Sequence, residues 1–102
     1  MARQPNTNKN GNKFDQQTID LVWQKAKRDH SSTYDVFRTD ICGTSISKAR
    51  YGDVDNEFGW EIDHILPVSE GGTDHIDNLQ PLHWKTNRAK SDTYPWTCNM
   101  LE

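Results

Sequence analysis

What this chain can fold into is constrained most by residues 60–92, WEIDHILPVSEGGTDHIDNLQPLHWKTNRAKSD, along which the hydrophobic period keeps changing. Trp60 and Ile62 alternate with Glu61 and Asp63, the period of two that marks a strand with one face toward a core. Pro67 stops a regular ladder, and Gly71-Gly72 sit in a stretch without periodicity, which describes a compact surface loop. Asn78-Leu79-Gln80-Pro81-Leu82 returns as a short strand with Leu79 buried. Residues 82–91 read as a helix packed through Leu82, Trp84 and Ala89, with His83 and Asn87 neighbours at i and i+4 and Lys90 further along that side. The local order is strand, loop, strand, helix.

The remainder reads as support for that unit. A chain of 102 residues is one small domain, and 32% apolar residues with a mean hydropathy of -0.99 leave a thin core, in which four tryptophans supply large buried area for their number. Residues 1–12, MARQPNTNKNGN, have almost nothing to bury and cannot offset their ordering entropy. The expected division is a disordered tail over 1–13, one domain over 14–98 and a C-terminal tail over 99–102. Asp15 is placed to cap a helix at Thr18, with Phe14 stapled onto Ile19 and an apolar stripe of Ile19, Val22, Trp23 and Ala26. Trp23 on that stripe reads as core rather than as a platform for a base. His30 and His75 fall in polar loops, and residues 34–38 and 41–46 as short extended pieces broken at Gly43, with Val36, Phe37, Ile41 and Ile46 half-buried. Residues 53–57 are acidic but lack EF-hand spacing, so they read as a surface loop.

Charge limits the partners. The net charge is -3, and residues 61–92 hold six acidic side chains against three basic ones, an excess that a bound divalent cation would offset locally. Attraction to phosphate over the whole surface is therefore weak, and Arg38, Lys48 and Arg50 are either a solvated face or an approach to DNA phosphates. No run approaches the length of a membrane span and residues 1–13 have no signal-peptide pattern, so the cytoplasm is the expected location. Cys42 and Cys98 stand 56 positions apart without a CxxC pair, and read as reduced thiols rather than a bridge.

The run Asp63-His64-Ile65-x-Pro67, then Gly71-Gly72, Asn78-Leu79 and Asn87-Arg88-x-Lys90, resembles the HNH endonuclease family and its ββα-metal fold. The wider pattern from about Phe14, with Ile41-Cys42-Gly43, resembles small stand-alone bacterial and phage members. The resemblance implies an α+β fold: a ββα-metal (HNH) core with an additional N-terminal helix. It also implies roles: Asp63 as ligand of one divalent metal ion, His64 as general base, Asn78 holding the loop that carries the base, and Asn87 as a second ligand. His83 occupies a place that is a ligand in colicin DNases, and equally suits a hydrogen-bonded histidine; Arg88 and Lys90 read as phosphate contacts, and Glu61 as a carboxylate behind the ligands or at the surface.

Those roles make chemical sense. Phosphodiester hydrolysis needs an oxygen nucleophile and charge neutralisation at the phosphoryl and leaving oxygens. An imidazole free of metal accepts a water proton near neutral pH, whereas a metal-bound one cannot, so the ion has to sit on a neighbour. The sequence departs from many relatives at Cys42-x-x-Ser45 and His83-x-x-Thr86, which leaves no tetrad for a structural zinc. An asparagine at the third motif position favours magnesium or manganese. The expected activity is metal-dependent cleavage of DNA, at least nicking, to 5′-phosphate and 3′-hydroxyl ends. The alternative is a non-cleaving HNH-like module that binds nucleic acid or a partner, and the acidic charge points to a protein partner supplying DNA affinity or specificity.

Overall fold

Asp15 opens the first helix as the sequence predicts. In this computed structural model, which describes residues 3–29 and 35–101, its carboxylate accepts from the Thr18 N–H at 2.8 Å and α1 spans Gln16–Trp23. Val22 and Trp23 are buried, with Phe14 and Ile19 packed beside them, so the predicted stripe is the face that meets the core. Ala26 is buried too, from a turn beyond the helix end. The reason is Arg38. Its guanidinium donates to the carbonyls of Trp23 and Ala26, pairs with Asp35 at 2.6 Å and lies 5.5 Å over the Trp23 ring. Unpaired carbonyls at a helix C-terminus attract a cation, and this one is buried there, so Arg38 does not join the exposed Lys48 and Arg50 in a phosphate-facing patch.

β1 (Lys27–Arg28), β2 (Phe37–Thr39) and β3 (Ser45–Ser47) form an antiparallel sheet in that order. Of the four hydrophobic side chains expected to be half-buried here, Ile46 is fully buried while Val36, Phe37 and Ile41 are exposed, because strands this short turn only one or two side chains inward. Tyr34 and His30, and residues 1–2 of the expected tail, lie outside the described residues. The turn between β2 and β3 is organised by the buried Asp40, whose Oδ1 accepts from the amides of Cys42 and Thr44 at 3.0 Å. Its Oδ2 accepts from the His83 amide at 2.9 Å and so ties this sheet to the next.

β4 (Trp60–His64) and β5 (Leu79–His83) pair antiparallel, with Trp60 opposite His83 and Asp63 opposite Gln80, and α2 (Trp84–Lys90) follows without a loop. The fold is therefore α+β with a ββα unit at its centre. Pro81 is tolerated in β5 because it faces Ile62, whose N–H points away from β5 and donates to Asn6 Oδ1 at 2.8 Å; at such a pair no ladder donor is missing. Trp60 is buried between Trp23, at 5.4 Å between centroids, and Tyr51, at 5.0 Å. Leu79 and Leu82 complete the core from β5, whereas Ala89 is exposed.

Residues 3–13 of the expected tail form a turn-rich segment with a bridge between Thr7 and Lys13, in which Asn6 accepts from the Ile62 amide of β4 and the Lys9 amide donates to Asp74. Composition measures only apolar burial, and this segment is held by polar groups instead. Cys42 and Cys98 are not two thiols but a disulfide, with 5.4 Å between Cα atoms, because the chain after α2 returns to the Asp40 turn. No helix among the described residues is long and apolar enough to cross a membrane.

Candidate active site at the end of β4

Asp63 and His64 end β4, where the strand gives way to the loop over residues 65–78. Asp63 is 5% exposed; its Oδ2 accepts from Gln80 Nε2 at 3.0 Å, straight across the sheet, and its Oδ1 from Lys90 Nζ at 3.2 Å. Burial pushes the Asp63 carboxyl above the usual carboxylate range, against the opposing pull of Gln80 and Lys90. His64 Nε2 lies 2.8 Å from Asp74 Oδ1, and the Phe14 ring is 5.9 Å from the imidazole.

The loop behind His64 is clamped by Asn78, the last residue of a 3-10 turn, Ile76–Asn78. Asn78 Oδ1 accepts from the Leu66 amide at 2.8 Å, Nδ2 donates to the carbonyls of Leu66 and Thr73, and the Asn78 carbonyl accepts from Ile65. Gly72 closes the same loop by donating to the Pro67 carbonyl at 2.9 Å; a Cβ there would lie 1.7 Å from the Leu66 oxygen, so glycine is the residue that fits.

α2 supplies the opposite side. Glu61 on β4 is 1% exposed and accepts from Asn87 Nδ2 at 2.9 Å and from both Nε and an Nη of Arg88, at 3.3 and 2.9 Å. The Arg88 side chain stays half exposed while its bond to Glu61 holds it protonated. Because Nδ2 of Asn87 is spent on Glu61, the oxygen is the atom of that amide with lone pairs left to offer.

A cleft of about 220 Å³ is lined by Asp63, His64, Asn87 and Arg88, with residues 3–7 forming its outer wall. Four of the expected site residues therefore share one space, and Asn78 supports it from behind. Two others do not join them. Lys90, expected to meet phosphate, is 2% exposed and donates to Asp63 Oδ1 and to the His64 carbonyl, because the side chain turns inward from the end of α2 toward a buried carboxylate. His83, expected as a ligand, caps α2: Nδ1 accepts from the Lys85 amide at 3.1 Å and Nε2 donates to the Glu57 carbonyl at 2.7 Å, which uses both ring nitrogens. Sequence reading missed Asp74, the burial of Glu61 and the wall formed by residues 3–7. The only signal for Asp74 was its place two residues beyond Gly72, in the loop that Asn78 holds.

Among the described residues no three His, Cys, Asp or Glu side chains converge as a metal-binding group. Asp63 and Asn87 both line the shared cleft with oxygen-bearing side chains, the kind of donor that a hard divalent cation takes.

A hairpin whose first strand ends in Asp-His, closed by a helix that returns an asparagine to the same cleft, is the core of a ββα nuclease-type domain. Residues 41–93, just over half of the chain, match the HNH endonuclease family, and the chain belongs to it. No curated protein and no solved structure matches the sequence. The match starts just after Asp40, covers β3, both strands of the hairpin and α2, and leaves out α1 and the wall over residues 3–7.

Proposed function

We propose that this protein is a metal-dependent DNA endonuclease, with His64 as general base and one divalent cation, magnesium or manganese, on Asp63 and Asn87. One observation carries the reading: Asp63, His64 and Asn87 line a single cleft, and the imidazole is bonded to a carboxylate of the loop. His64 takes a proton from water, and the loop clamped by Asn78 fixes where that ring stands. When bound, the cation would supply charge neutralisation on the scissile phosphate and the leaving 3′ oxygen. Arg88, half exposed at the rim, is placed to meet a flanking phosphate, whereas Lys90 serves the buried side of Asp63. One such site cuts one strand per engagement, so nicking is the minimum activity.

The test is a supercoiled plasmid incubated with magnesium or manganese and then with chelator. Relaxed product is expected only with metal, and His64→Ala should lower the rate by roughly 10²–10⁴. No relaxed product from the intact protein, or equal product from His64→Ala, defeats the reading. The ion pair that already occupies Asp63 Oδ1 favours one rival, a non-cleaving module that docks on DNA or a partner protein; DNA binding without cleavage would establish it.

A further inference from the structure

Behind His64 stands a carboxylate to which the mechanism above gives no task. Asp74 Oδ1 lies 2.8 Å from His64 Nε2, and both Asp74 oxygens accept from the Lys9 backbone N–H, at 3.0 and 3.2 Å. We infer that Asp74 is a positioning residue, which keeps the proton of the neutral ring on Nε2 and presents Nδ1 as the nitrogen that takes the proton from water. This rests on reading His64 as the base.

The hydrogen-bond inventory carries the inference. An ionised carboxylate only accepts, so the ring nitrogen facing it donates; a neutral imidazole has one N–H, which leaves the lone pair on Nδ1. The same carboxylate then stabilises the imidazolium that forms when Nδ1 takes up a proton, the logic by which a buried aspartate orients a catalytic histidine elsewhere. Asp74 is itself held from two sides. The Lys9 amide fixes its oxygens, and the preceding residue, Thr73, is pinned through its carbonyl by Asn78 Nδ2 at 2.8 Å. Phe14 packs beside the imidazole at a tilt and so restrains the ring on a second side. Lys9 lies outside residues 41–93, so part of this support comes from the chain's own N-terminal segment rather than from the family-matched unit.

The experiment compares the full chain with Asp74→Asn, Asp74→Glu and the surface control Asp77→Asn, whose carboxylate is 90% exposed and lies beside His75. Plasmid nicking with magnesium gives kcat and KM, and ¹⁵N NMR of the imidazole nitrogens, assigned with His64→Ala, gives the proton's position in the neutral ring. Asp74→Asn keeps an acceptor for Lys9 but turns an amide N–H toward the ring. Expected are a kcat lowered about 10²-fold with KM unchanged, partial recovery in Asp74→Glu, and a proton that moves from Nε2 to Nδ1 in Asp74→Asn. Asp77→Asn should match the parent. Wild-type kcat in Asp74→Asn, or a proton that stays on Nε2 there, overturns the positioning role. A parent protein that leaves plasmid intact overturns the nuclease reading instead, and the NMR arm then decides the His64–Asp74 pair on its own.

Discussion

Lys90→Met would strip the buried Asp63 carboxylate of its ammonium partner, and the consequence can be worked from the geometry. Both side chains are at most 5% exposed and the nitrogen lies 3.2 Å from Oδ1, so at an effective dielectric of about 20 the attraction is about 5 kcal/mol. Burial still wins at Asp63, whose carboxyl is pushed up despite Gln80 and Lys90. The pair is therefore worth little against two apolar replacements, but the loss of one member leaves a charge buried alone, at a cost of about 3–5 kcal/mol. Against a total stability of about 5–15 kcal/mol for a domain of this size, that is a melting temperature lowered by roughly 15–25 °C. The assay is urea unfolding of Lys90→Met, Asp63→Asn and the double variant. Each single change should cost several kcal/mol, while the double should return to within about 1 kcal/mol of the parent. The sign with pH follows from a raised carboxyl pKa. Ionisation of Asp63 works against folding, an effect absent below the unfolded carboxylate pKa of about 4 and growing as pH rises from there toward the folded value. Without Lys90 that window widens, so the Lys90→Met deficit should be largest near neutrality and shrink as pH falls into the carboxylate range. Single changes that cost less than about 1 kcal/mol, or that simply add in the double, would refute the account.

Three further outcomes are expected. Cys98→Ser opens a cross-link between positions 56 apart and should cost about 4 kcal/mol by chain entropy, measured by denaturant unfolding, with the difference from the parent vanishing under reductant. His83→Ala removes the cap on α2 and leaves the Glu57 carbonyl without its donor, a loss of about 2 kcal/mol, while the metal concentration for half-maximal nicking stays at the parent value; a large shift in that concentration would restore His83 as a ligand. Gly72→Ala sets a methyl against the Leu66 oxygen and should displace the loop behind His64, seen as lowered melting temperature and lowered nicking together.

Much of the local structure was legible in the order of residues. Asp15 capped its helix at Thr18 as expected, the period of two placed Trp60 and Ile62 in the core, and the second strand and helix fell within a residue or two of their predicted bounds. These features depend on neighbours a few positions apart. The motif residues also announced which functional groups were available, and Asp63, His64, Asn87 and Arg88 do share a cleft. Composition says nothing of the polar contacts that residues 3–13 make, and distance along the chain hid the proximity of Cys42 and Cys98.

The sequence alone determined the kinds of side chain at this site and the strand, loop, strand and helix that carry them, because periodicity and capping act over one or two turns of chain. Tertiary structure decided how each donor and acceptor is spent. His83 has two nitrogens suited to a metal, but Glu57 and Lys85 take both; Lys90 has a charge suited to phosphate, but Asp63 holds it inside. No local pattern singles out Asp74, and it is the fold that sets it against His64. A hydrogen bond is exhausted by whichever partner the packed chain delivers, and those partners come from positions that no local pattern connects.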